Sequence, residues 1–453
     1  MGHQDLAERL AGAGIDDVVV DPDVHDSYRR DAAAPGLLAA GLPAVLLRPK
    51  TTAEVQAAVR IAAEQGVPVV PRGAGSGLSG GANAIDGCIV LRTEAMDDIV
   101  DLEPDSMQAT VGPGLVNGAL KEAAAVPGLT YAPDPASFEF STIGGNVATN
   151  AGGLCCVRHG VTRDAVLGLE VVLADGRAIR VGGRTRKNVA GYDLVSLFCG
   201  SEGTLGIVTE VCVRLVRAPG AALTMAASFP DVGAAGRAIV GIMHETEPLL
   251  LELMDRATLD AVEAMQPMEL EPTTAALVFA RTERGHDELE RMAEIADSAG
   301  ADFVATSDDE AEGRMLMAAR RLAYPSLERL GRTLLDDVGV PIGEIPALLE
   351  GVAKIAARRD VTIGTFGHAG EGNMHPTIVY PPDDAEAAEA ARHAFEEIVD
   401  LALSLGGTIT GEHGVGLLKR EFMTRAVGAS VQLHHAVKQA LDPHGILNPG
   451  KAI

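Results

Sequence analysis

Pro71-Arg72-Gly73-Ala74-Gly75-Ser76-Gly77-Leu78-Ser79-Gly80-Gly81 decides how the first half of the chain is read. Gly75 to Gly80 matches G-x-G-x-x-G, and Val67-Pro68-Val69-Val70-Pro71 before it reads as a strand. Asp97 or Asp98 stands near the offset expected for that pattern's acidic residue. A dinucleotide fold then needs a helix, whose N-terminus holds the diphosphate. Instead Ala82-Asn83-Ala84-Ile85-Asp86-Gly87 leads into a second strand, Cys88-Ile89-Val90-Leu91. A Rossmann NAD site is therefore disfavoured. The loop keeps the physics for a diphosphate all the same. Glycines at 73, 75, 77, 80 and 81 let N–H groups converge on an anion without Cβ clashes, and Ser76 and Ser79 add hydroxyl donors. No lysine follows in the Walker position, so nucleoside triphosphate hydrolysis has no support.

Upstream of the loop, Thr51-Thr52 and Glu54 open an amphipathic helix from Val55 to Ala63, and Gly66 stops it. Downstream, strand and helix signals alternate to about residue 216. They include Leu169 to Leu173, the turn Asp175-Gly176, and Ile207 to Val213. Pro219-Gly220 marks a boundary. Beyond it, strand-like stretches (Leu249 to Met254, Ala275 to Ala280) alternate with charged helices, His286 to Ala299 and Asp384 to Leu405. That texture predicts an α+β protein whose second half packs helices on one sheet.

The 453 residues allow two to four domains. A net charge of −26 repels phosphate backbones and anionic membranes, so no nucleic-acid partner is expected. No apolar run is long enough to span a bilayer. Asp5 and Glu8 occupy the place of a signal peptide's apolar region, so none is expected. The five cysteines (88, 155, 156, 199, 212) form no Cys-x-x-Cys pair, which excludes iron–sulfur and zinc-knuckle readings. The expected location is cytoplasmic, peripheral to the inner membrane only through partners.

Two further glycine-rich segments share the loop's character. Ser141-Thr142-Ile143-Gly144-Gly145-Asn146 with Thr149-Asn150-Ala151-Gly152-Gly153 admits a flat ligand, and Gly200-Ser201-Glu202-Gly203-Thr204-Leu205-Gly206-Ile207-Val208 precedes a strand. Together with Pro71 to Gly77, these motifs resemble the FAD domain of the vanillyl-alcohol-oxidase (PCMH-type) superfamily. The nearest branch holds D-lactate dehydrogenases, the glycolate oxidase catalytic subunit and D-2-hydroxyglutarate dehydrogenases. The resemblance runs from about Pro43 to the C-terminus. It implies an N-terminal segment (1–42), a two-part PCMH-type FAD-binding domain (43–219) and an antiparallel-sheet substrate or cap domain with helices (220–453), whose tail returns to the FAD domain.

The resemblance also assigns cofactor residues. Arg72, Gly73, Ala74, Gly75, Ser76, Gly77, Leu78 and Ser79 would hold the FAD diphosphate. Pro133, Asp134, Thr142, Gly144, Gly145, Asn146, Thr149, Asn150, Ala151, Glu202, Gly203, Ile207 and Val208 would line the cofactor. Asn448, in Leu447-Asn448-Pro449-Gly450, either faces the flavin or belongs to a capping loop. Members that attach FAD covalently carry a histidine in the first loop. Ser76 and Gly77 stand there instead, so FAD is expected to be non-covalent.

The second half carries its own chemistry. Gly367-His368-Ala369-Gly370-Glu371-Gly372-Asn373-Met374-His375-Pro376 places two imidazoles seven residues apart. Its glycines and Pro376 oppose a helix, so a turn between strand ends is expected to bring the rings together. Thr410-Gly411-Glu412-His413-Gly414 adds a carboxylate and another imidazole, and in an extended segment Glu412 and His413 would point apart into separate roles. Two imidazoles and a carboxylate suit Zn, Mn, Fe or Co. The resemblance implies metal ligands at His368, His375 and Glu412, and a general base at His413. It implies a substrate-carboxylate arginine at Arg320, with Arg321 as fallback, and Asn373 as a donor to substrate.

The implied reaction oxidises a D-2-hydroxy acid to the 2-oxo acid by hydride transfer to flavin N5, with histidine taking the hydroxyl proton. The dicarboxylate-oxidising branch tends to carry a lysine just before a segment like Asp337-Val338-Gly339-Val340-Pro341. Leu334 and Leu335 precede Asp336 here, which points to a short substrate, D-lactate or glycolate. D-2-hydroxyglutarate is the alternative. A non-catalytic flavin-binding oxidase subunit would lack the metal and base motifs present here. An alkyl-ether-lipid synthase would want an apolar channel, which 3% aromatics do not suggest. The electron acceptor is expected to be a quinone, a cytochrome or an electron-transfer flavoprotein, with a homodimer or accessory subunits as further partners.

Overall fold

The computed structural model describes residues 2–33, 36–267 and 273–453. The chain divides into two compact units. The first comprises Met1–Gly153, His159–Ala218 and Glu412–Ile453, the second Leu154–Arg158 and Pro219–Gly411.

In the first unit, strands Val69–Arg72 and Ile89–Arg92 run parallel, with Val70 opposite Val90, and the glycine loop joins them. Val45–Leu47 and Val18–Val19 complete a four-stranded sheet. The helix Thr52–Gln65 begins where Thr51 Oγ1 accepts from the Glu54 N–H and ends at Gly66 in the left-handed conformation (φ 64°). Val55, Ala58, Val59 and Ala62 make its buried stripe, pressed on Val69, Ile89 and Leu91. A five-stranded antiparallel sheet follows, in the order Ile99–Glu103, Gln108–Val111, Ile207–Arg214, Val166–Val172, Ala178–Gly182. Residues 1–42 belong to this unit. The Ala32 N–H donates to Gly77 O (2.9 Å), and the Asp31 N–H donates to Asn83 Oδ1 (2.9 Å).

The second unit is built on one eight-stranded antiparallel sheet. Its centre runs Leu223–Phe229, Ala276–Thr282, Leu250–Asp255, Thr362–His368, Asn373–Tyr380. Leu250, Met254, Leu277 and Phe366 form a core with Met317, Ala319, Ala323 and Leu327 of the helix Glu310–Glu328. The helical stretches read at 286–299 and 384–405 are His286–Ser298 and Ala385–Ser404. Among the described residues no helix is long and apolar enough to cross a membrane.

Candidate active site

Each unit holds some of the candidate residues. In the first, the glycine loop walls a cavity together with Thr142, Gly144, Gly145, Asn146, Thr149, Ala151, Glu202, Gly203, Ile207 and Val208. The loop can approach so closely because its glycines carry no side chain. A Cβ on Gly73 would overlap Thr142 Oγ1, and one on Gly75, at φ 73°, would overlap the Arg72 guanidinium. Arg72 lines the cavity but is itself 8% exposed, and its Nη1 has no hydrogen-bond partner among the described residues. Burial holds its pKa below the ordinary value, with Asp31 pulling the other way. A buried guanidinium with an unspent donor beside a glycine-rich loop fits a diphosphate. Gly75→Ala is expected to weaken FAD retention roughly tenfold or more, through backbone strain and displacement of Arg72. The flavin absorbance per protein after gel filtration measures this.

The segment after residue 411 is laced to the same loop. The Leu417 and Leu418 N–H groups donate to Ser79 O (2.8 and 3.0 Å), and Ser79 Oγ donates to His413 O (3.1 Å). Glu202 accepts from the Val415 N–H (2.7 Å) and the Gly416 N–H (2.9 Å). Burial pushes the Glu202 carboxyl up to about 7, against those two donors and Lys451. Glu412 and His413 thereby both line the cavity. They do not point apart. The chain bends over residues 411–413, and His413 Nε2 comes 3.6 Å from Glu412 Oε1.

Four expected cofactor residues do not line the cavity: Pro133, Asp134, Asn150 and Asn448. Asn150 is the left-handed end of the helix Ile143–Thr149, its Oδ1 accepting from the Arg163 N–H. Asn448 Nδ2 donates to Gly81 O (2.9 Å) and Glu202 O (2.7 Å), so it ties two cavity loops together. Asp31 is a cavity residue that sequence reasoning missed. Its carboxylate accepts from the Ala33 N–H (3.1 Å) and faces Arg72 and Lys451, and burial raises its pKa.

In the second unit, sheet register collects the chemistry on one face. His368 pairs with Asn373 and Phe366 with His375 across the hairpin, while Met254 opposite Phe366 sets Glu252 beside His368. Residues two apart on a strand share a face, so Glu252, Phe366, His368, Asn373 and His375 gather. The seven-residue histidine spacing is therefore a hairpin diagonal. The rings of His368 and His375 meet edge-on at 5.2 Å. Glu252, wholly buried, uses both oxygens: Oε1 lies 2.7 Å from His368 Nδ1, and Oε2 accepts from Arg320 Nε at 2.7 Å. The Arg320 guanidinium lies over Phe366, 4.8 Å from the ring centroid, whereas Arg321 is exposed. Asp337 Oδ1 stands 3.6 Å from His375 Nδ1, and Asp337 Oδ2 accepts from Thr410 Oγ1 (2.7 Å) and the Gly411 N–H (3.0 Å). Glu252 and Asp337 were not foreseen as site residues. A lone carboxylate inside the apolar run Leu249 to Met254 was the available signal for Glu252.

Neutral imidazoles whose Nδ1 faces a carboxylate present Nε2 to a cation, the usual setting of metal-bound histidine. The donor set here fits a first-row divalent ion.

Residues 43–182 match the family model "FAD binding domain", and residues 218–452 match "FAD linked oxidases, C-terminal domain". The chain is 41% identical over 418 residues to the glycolate oxidase subunit GlcD of Bacillus subtilis, covering 90% of this chain and 89% of that one. It is 35% identical to a D-lactate dehydrogenase of Archaeoglobus fulgidus, covering 94% and 96%. A crystal structure of p-cresol methylhydroxylase with substrate bound shares the fold at TM-score 0.79 and 17% identity, over 99% of this chain and 96% of that one. The chain belongs to the FAD-linked oxidase family, with a PCMH-type FAD-binding fold. It is an FAD-linked oxidoreductase.

Proposed function

We propose that this protein oxidises a small D-2-hydroxy acid, D-lactate or glycolate, to its 2-oxo acid, using non-covalent FAD and a divalent metal, Zn in first place and Mn or Fe as alternatives. The carrying observation is the histidine pair of the second unit, with each Nδ1 facing a buried carboxylate. In this reading His368 and His375 supply two metal ligands and Glu412 the third. Glu412 is the residue after Gly411, whose N–H is held by Asp337 beside His375.

When bound, FAD supplies a two-electron acceptor and the metal a Lewis acid. The chain's own groups do the rest. His413 takes the proton of the substrate hydroxyl. Arg320, its Nε engaged by Glu252, turns its two Nη groups to the substrate carboxylate as a bidentate grip. Asn373 donates to the substrate. Arg72 and the glycine loop hold the FAD diphosphate, and without a histidine at Ser76 or Gly77 the cofactor stays non-covalent.

Leu334 is buried in the strand Arg332–Leu335, and no cation stands at 334–335 to meet a distal carboxylate. The names of the relatives, a glycolate oxidase subunit and D-lactate dehydrogenases, support the same substrate class. The first of those names also supports accessory subunits here. The electrons leave to a quinone, a cytochrome or an electron-transfer flavoprotein. A dye-linked assay across glycolate, both lactate enantiomers and D-2-hydroxyglutarate tests the reading. Glycolate or D-lactate is expected to give the highest kcat/KM. Faster turnover of 2-hydroxyglutarate than of either would overturn the substrate assignment.

A further inference from the structure

Glu252 contacts both His368 and Arg320, and its own position is unusual. It is 0% exposed, in the centre of an eight-stranded sheet, and the other residues from Leu249 to Met254 are leucine and methionine. Burying a carboxylate costs several kcal/mol unless charge and hydrogen bonds offset it, so an apolar residue would serve the sheet better. What offsets the cost here is specific. One oxygen meets His368 Nδ1 at 2.7 Å and the other meets Arg320 Nε at 2.7 Å. Both partners are themselves buried, His368 at 7% and Arg320 at 8% exposure. Phe366 packs on the guanidinium face, so the arginine is fixed on two sides.

We propose that Glu252 is a positioning residue that sets two functional groups at once. Its Oε1 fixes His368 as the Nδ1–H tautomer, with Nε2 as metal donor. Its Oε2 fixes the fork of Arg320 that grips the substrate carboxylate. The metal ligand and the carboxylate grip are thereby mounted on one side chain. This rests on the assignment of His368 and Arg320 made above.

Glutamine at 252 keeps the volume but offers one acceptor oxygen. If that oxygen serves Arg320, the amide NH2 faces His368 Nδ1. The imidazole must then accept at Nδ1 and carry its proton on Nε2, where it cannot ligate. If the oxygen serves His368, the amide NH2 meets the Arg320 Nε–H and turns the fork away. Either arrangement harms one function, and the two exchange.

The test uses full-length, FAD-loaded protein in four forms: wild type, Glu252→Gln, His368→Ala and Arg320→Ala. Three readouts are taken: affinity for Mn or Zn after chelator treatment, the kcat and KM for the hydroxy acid, and flavin content. Glu252→Gln is expected to lose roughly 10- to 100-fold in metal affinity, the range for removing a partner behind a ligating histidine. It should also raise KM at saturating metal, with flavin content unchanged. Arg320→Ala should raise KM while leaving metal affinity within a few-fold of wild type, since Glu252 still holds His368. Glu252→Asp, which keeps the charge but shortens the reach, should fall between. Wild-type metal affinity and wild-type KM in Glu252→Gln would overturn the proposal. Loss of flavin and of thermal stability in Glu252→Gln, without a selective fall in metal affinity, would do so too by marking the role as structural. If His368→Ala binds metal as wild type does, the ligand assignment itself is wrong, which is a distinct failure.

Discussion

Replacing His413 with alanine is expected to lower turnover of the hydroxy acid by roughly 10²- to 10⁴-fold, the usual contribution of a general base, while the protein stays yellow. The two halves of that outcome have separate causes. The imidazole lines the cavity built by the glycine loop, so under the proposed function its removal takes a proton acceptor from beside the proposed FAD site. The main chain at 413 is fixed independently, because its carbonyl accepts from Ser79 Oγ and the residues after it donate to Glu202 and Ser79. Alanine keeps all of those bonds. Stopped-flow reduction of the flavin by substrate, against flavin content, separates chemistry from binding. A variant that reduces its flavin within tenfold of wild type would remove His413 from the role of base.

Removing the proposed metal is the second large effect expected. Chelator-stripped protein is expected to keep its FAD and its fold but to lose turnover by two orders of magnitude or more, with recovery on adding back Zn or Mn. Lewis-acid assistance to an ionising oxygen is worth several kcal/mol, as the fall in water's pKa from 15.7 to about 7 on zinc illustrates. A single imidazole does not replace that. His375→Ala should reproduce the stripped state and resist rescue, since Asp337 stands 3.6 Å from that imidazole and would be left facing a cavity. Turnover that survives exhaustive chelation, with no metal found by elemental analysis, would contradict the proposal.

The features visible in the sequence are those with local causes. Thr51 and Gly66 bracket a helix because one caps its first turn and the other adopts a left-handed φ. The loop from Gly73 to Gly81 shows its task because only glycine permits such close approach to Arg72 and Thr142. His368 and His375 were legible as a pair because glycines and Pro376 left a turn as the only way to bring them together. The missing pieces are long-range. Asp31 joins the cavity through bonds to residues 51 and 52 positions away, with no pattern around it to announce them. Glu252 meets His368 through sheet register, 116 residues along the chain, and Asp337 meets Thr410 across 73. Asn448 matched a motif, but its side chain is spent on Gly81 and Glu202, which a motif cannot reveal. The expectation that Glu412 and His413 point apart assumed an extended backbone, whereas residues 411–413 bend.

X-ray absorption at the metal edge of the as-isolated, flavin-loaded enzyme addresses the central proposal most directly. Stoichiometric metal is expected, with two imidazole nitrogens at about 2.0–2.1 Å and at least one carboxylate oxygen at about 2.0–2.2 Å in its first shell. One imidazole should disappear in His375→Ala and the carboxylate in Glu412→Ala. A shell of water oxygens alone, or a spectrum unmoved by either substitution, would show that these residues do not share an ion.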